Sequence, residues 1–72
     1  MKSGRISKLV TTFGSKWGKV RADGQTIEVF FDPESLEIGG DFDSLKEGQA
    51  VRFDQEQDRA NGMRAIRMVA SQ

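Results

Sequence analysis

The sequence predicts an all-β domain, a small barrel or sandwich of short strands. Three features lead there. Glycines punctuate the chain at positions 4, 14, 18, 24, 39, 40, 48 and 62. Between them, apolar and polar residues alternate with a period of two. These segments are too short to make stable amphipathic helices.

The first strand is expected over about residues 4–12. Ile6 should face inward and Lys8 outward. Leu9 and Val10 are adjacent and both apolar, so alternation breaks there, as a bulge or strong bend would allow. The second strand is expected over about 16–22. Gly18 and Val20 share its inner face; Trp17, Lys19 and Arg21 share the outer one. Asp23-Gly24 is a tight-turn signal, because a tight hairpin needs positive φ. The third strand, about 26–32, alternates cleanly: Ile27, Val29 and Phe31 against Glu28, Phe30 and Asp32.

Pro33 ends that strand. Asp32 to Leu36 reads as one helical turn, with Asp32 as its cap and Pro33 in the first position. Residues 37–43 read as a loop. The fourth strand is expected over about 49–56, with Val51 and Phe53 inward and Arg52 and Asp54 outward. Gln55 to Asn61 reads as a polar hairpin loop, and Asn61-Gly62 as a second turn signal. The fifth strand, about 62–69, puts Ile66 and Met68 on one face. The expected core is Ile6, Leu9 or Val10, Val20, Ile27, Val29, Phe31, Leu45, Val51, Phe53, Ile66 and Met68. A closed antiparallel barrel suits this set, since closure removes the exposed edges that endanger a short all-β chain.

Composition bounds the function. Seventy-two residues make one domain, 1–72, which buries only about 60% of its unfolded surface. The chain has neither Cys nor His. That removes disulfides, the usual zinc ligands and the usual base near neutral pH. No Ser/His/Asp or Cys/His set exists and no phosphate-loop pattern occurs, so no enzyme, cofactor or metal is expected. Met1 is followed by Lys2 and not by an apolar run. Neither a secretory leader nor a membrane span is expected, and the setting expected is cytoplasmic.

Net charge is zero, yet the charges are segregated. Residues 1–21 carry Lys2, Arg5, Lys8, Lys16, Lys19 and Arg21 and no acid. All 11 acids fall in residues 22–58, against Lys46 and Arg52. Arg59, Arg64 and Arg67 follow. If the two basic ends meet in the fold, they form a positive face; otherwise the charges simply solvate the surface.

Several stretches resemble the cold-shock domain family. They are Gly4-Arg5-Ile6, Lys16-Trp17-Gly18-Lys19-Val20, Glu28-Val29-Phe30-Phe31, the run from Phe42 through Leu45-Lys46-Glu47-Gly48-Gln49-Ala50-Val51-Arg52-Phe53, and Asn61-Gly62-Met63-Arg64-Ala65-Ile66. The resemblance implies a five-stranded antiparallel OB-type barrel. It also implies binding of single-stranded RNA or DNA on two motifs, here 15–20 and 29–33. Trp17 and Phe30 match aromatic positions of those motifs, and Phe42 matches a loop aromatic that joins the binding face. The chain departs from the family at Lys8 and Lys19, which replace aromatics, and at Asp32 and Pro33, which replace His and Phe.

The candidate nucleic-acid-binding residues are therefore Lys8, Lys16, Trp17, Lys19, Arg21, Phe30 and Phe42. Trp17 and Phe30 fall on outward positions by alternation alone, where an aromatic ring can stack on any base. The lysines and Arg21 can meet phosphates. With fewer aromatics, binding should be weak, sequence-tolerant and steep in salt, as would suit an RNA chaperone. Five of them also have a structural alternative: Trp17 over the barrel end or the first loop, Phe30 in the core, Phe42 as a loop anchor, and Lys8 and Lys19 as solubility residues. A degenerate barrel serving as a protein-interaction module is the competing function. A monomer is expected.

Overall fold

A computed structural model describes residues 1–12, 14–37, 40–58 and 62–70. Five strands form it: β1 (Lys2–Val10), β2 (Trp17–Ala22), β3 (Glu28–Phe31), β4 (Ala50–Asp58) and β5 (Gly62–Ala70). They close in the order β1-β2-β3-β5-β4, with β4 returning to β1. This is the connectivity of an OB-type barrel. The sheet is mixed, not purely antiparallel as expected: β3 and β5 meet in parallel through Phe30 and Arg64. Five strands in this order cannot close otherwise, because β3 and β5 run the same way. Among the described residues no helix is long and apolar enough to cross a membrane.

The β2–β3 hairpin forms where Asp23-Gly24 predicts it, with Gly24 at φ +78°. Asp32 caps a 3-10 turn, Pro33–Ser35, as expected. Its carboxylate accepts from the Glu34 amide, and the buried Ser35 hydroxyl accepts from the Asp32 amide, completing a capping box. A second 3-10 turn, Phe42–Ser44, forms at the end of the stretch expected as loop over 37–43; Asp41 caps it through the Asp43 amide. β4 runs on to Asp58, into the stretch read as a hairpin loop. Asn61 of the second turn signal lies outside the described residues, while Gly62 takes φ +77°.

The core contains Ile6, Val20, Val29, Phe31, Leu45, Val51, Phe53 and Met68 as expected, with Leu9 packed against it. Ala22, Ala65 and Phe42 join them. Two expected members do not. Ile27 is 68% exposed, because β3 starts at Glu28 and the barrel wall has ended where Ile27 leaves the hairpin. Ile66 is only half-buried, because a bulge shifts the parity of β5. Asp54 pairs with Ile66 but Arg52 with Val69, so Arg67 and Met68 together oppose Phe53. Arg67 takes φ +48°, and beyond it Met68 turns back inside.

Candidate functional site

A second bulge builds the outer face of β1, β2 and β3. Ile6 pairs with Val20, but Lys8 pairs with Lys19, so Ser7 is the extra residue. Strict alternation from the buried Ile6 would carry Lys8 inside. The bulge delivers it outward, returns Leu9 toward the core and sets Val10 opposite Trp17. The expected break in alternation is present, two residues earlier than Leu9.

The consequence is a row across three strands, Lys8 opposite Lys19 opposite Phe30, with Trp17 beside it. The Trp17 and Phe30 rings stack, with centroids 6.1 Å apart and planes inclined by 19°. Lys8 Nζ lies 5.3 Å from the Trp17 ring centroid, within cation–π range. Both rings are half-buried: each lies on the sheet with part of its surface in solvent. Beside them is an open depression of about 580 Å³, lined by Ser15, Lys16, Trp17, Lys19, Phe30 and Asp32 among others. Gly18 underlies the arrangement, since a Cβ there would lie 2.5 Å from the Lys8 carbonyl oxygen and 2.7 Å from the Phe31 ring.

The cations divide into two groups. Lys16 pairs with Asp43 at 3.0 Å, and Arg21 approaches Glu28 at 3.8 Å. Lys8 rests on Trp17, and neither it nor Lys19 has a carboxylate within salt-bridge distance among the described residues. Glu28 sits amid this group. The Ser7 hydroxyl donates to its Oε2, and that bond chiefly holds its carboxyl below the usual range, with Arg21, Lys19 and Lys8 adding to the effect.

Phe42 departs from the expected site. It is 5% exposed, and its ring packs on Phe31 with centroids 5.6 Å apart. The capped turn that holds it tucks the ring into the barrel, so it is a core anchor and offers no surface to a base. Arg64, by contrast, comes to the edge of the face unforeseen. The parallel register sets it beside Phe30, and its Nη2 donates to Asp32 Oδ1 at 2.6 Å and to Ser35 Oγ at 3.1 Å. Its place in the basic C-terminal stretch was visible; the parallel pairing was not. Arg67, from the same stretch, instead pairs with Asp54. No protein-family model matches the chain, and no curated protein is significantly similar to it in sequence.

Proposed function

We propose that this chain binds single-stranded RNA or DNA weakly, through the outer face of β1–β3. One observation carries the reading: two stacked aromatic rings, Trp17 and Phe30, lie on neighbouring strands, with Lys8 over the Trp17 ring and Lys19 paired with Phe30. Unpaired bases expose π-faces of every sequence, and stacking on aromatics tolerates all of them. Lys8 and Lys19 flank the rings where a backbone would pass, and a phosphate there releases counterions. The OB-type connectivity and the resemblance of residues 15–20 and 29–33 to cold-shock motifs support the same reading. We read the protein as a cytoplasmic binding module of RNA-chaperone type, with no catalytic step.

The weakness follows from the ion pairs. Lys16, Arg21 and Arg64 are each matched by a carboxylate. A strand must compete with Asp43 and Glu28 for two of the expected phosphate contacts. Titration of mixed-sequence oligonucleotides at low salt, followed by Trp17 fluorescence and by amide chemical shifts, tests the reading. Quenching of Trp17 and shifts confined to β1–β3 are expected. No change up to millimolar strand would overturn it and leave protein docking as the use of this face.

A further inference from the structure

The structure assigns Asp32 as a base-selecting residue: we propose that its free carboxylate oxygen favours guanine in the subsite over Trp17 and Phe30. This rests on the reading above and restricts its sequence tolerance at one position. Asp32 shares the outward parity of Phe30. Continuing the β2–β3 ladder one step past the Gly18–Phe31 pair brings it level with Trp17, and it lines the same depression as both rings. The carboxylate thus stands at the rim of the depression in which a base stacked on the rings would lie.

The two oxygens of Asp32 have different duties. Oδ1 is saturated by the Glu34 amide, the Ser35 hydroxyl and Arg64 Nη2. Oδ2 accepts no hydrogen bond from the described residues. The cap and the Arg64 pair thus fix the side chain through one atom and leave the other as a held acceptor. An ionised carboxylate accepts and never donates. It repels phosphate, so its useful partner is a donor on a base. Single strands expose their Watson–Crick edges to such contacts. There guanine alone carries two adjacent donors, N1–H and N2–H. Adenine and cytosine set a ring acceptor beside their amino group, and uracil flanks its single N–H with carbonyls. Hydrogen bonds to a charged acceptor are stronger than neutral ones, and a preference of about tenfold is expected, which corresponds to about 1.4 kcal/mol.

The test uses fluorescein-labelled oligouridylates carrying a single central guanine, inosine, cytosine or uridine, with affinity read by anisotropy at one fixed low salt. The guanine strand should bind about tenfold tighter than the all-uridine strand. Inosine, which lacks only the N2 amine, should lose most of that gain. Asp32→Asn keeps a capping residue and should bring the guanine and uridine strands within about twofold of each other. Equal affinities for guanine, inosine and uridine in the unaltered protein would overturn the assignment while leaving the stacking platform standing. Tighter binding of cytosine than guanine would overturn the choice of base. Failure of every strand to bind would remove the platform reading itself.

Discussion

Trp17 and Lys19 are neighbours on β2, yet they should fail differently when removed. Trp17→Ala should weaken single-strand binding by about 1–3 kcal/mol at any salt, because stacking carries little charge dependence. Lys19→Ala should leave high-salt affinity nearly unchanged and reduce the slope of log affinity against log salt by about 0.7, one phosphate contact on a single strand. Parallel titrations at three salt concentrations separate the two. Equal slopes for the Lys19 variant and the parent protein would mean that no phosphate reaches Lys19. Glu28 makes the opposite prediction. Its carboxylate is held by Ser7 and faces Arg21, Lys19 and Lys8, where a phosphate would otherwise be drawn. Glu28→Gln keeps a hydrogen-bond acceptor for Ser7 and removes the charge. Affinity should rise several-fold and the salt slope steepen; a loss of affinity would show that Glu28 orders the face and does not compete on it. At this scale the sequence was readable where parity ruled. Trp17, Lys19 and Phe30 lie outward as alternation predicts. For Phe42 alternation decides nothing, and its anchor role depends on a capped turn. The signal was present in Asp41-Phe42-Asp43-Ser44, an acid two residues before an amide it can cap.

At the level of elements, two bulges decide which residues reach which face. The one at Ser7 turns Lys8 outward onto Trp17, and the one at Arg67 turns Met68 inward. The sequence hints at the first through Ile6 and Leu9, two apolar residues three apart that strict alternation cannot turn to one face. The second leaves a fainter trace: β5 carries Arg67 at positive φ where a glycine would be the natural marker. Without that marker, unbroken alternation from Met68 points Ile66 into the core. The parallel β3–β5 contact was likewise hidden, since pairing between distant strands is set by closure of the whole barrel and not by local pattern. β2 shows the tightest coupling between core and face. Gly18 is buried between Trp17 and Lys19, and the Lys8 carbonyl oxygen and the Phe31 ring fill the place a Cβ would take. Gly18→Ala should push β1 and Phe31 away. Overpacking of this kind costs about 1–3 kcal/mol, and each kcal/mol lowers Tm by about 4–8 °C in a domain of this size. Calorimetry checks it. An unchanged Tm would mean that the strands part freely at this point, and the close approach would then explain nothing about Lys8.

For the whole molecule, a closed barrel of 72 residues leaves little stability in reserve, so a few carboxylates set its response to acid. Among the described residues, two carry a preference for the ionised form in the folded state. Glu28 is lowered from 4.5 chiefly by the Ser7 hydroxyl, and Asp54 from 3.8 chiefly by the Arg67 side chain, with the Met1 ammonium assisting. A folded value below the unfolded one means that the unfolded chain takes up protons first as pH falls. The stabilisation is therefore complete above about pH 4.5, erodes as pH drops through 4.5 and 3.8, and is gone once pH lies below the lowered folded values. Both carboxylates are exposed enough for salt to screen their partners, so the acid slope should be shallower at high ionic strength. Chemical unfolding midpoints between pH 6 and 2.5 should stay level at first and then fall on the acid side, about where ordinary carboxylates titrate. Asp54→Asn should flatten the lower part of that fall, because it removes the group that ties β4 to Arg67 at the bulge and to the start of β1. Glu28→Gln should flatten the upper part. A double variant with an acid slope as steep as the parent's would assign the acid sensitivity to other carboxylates.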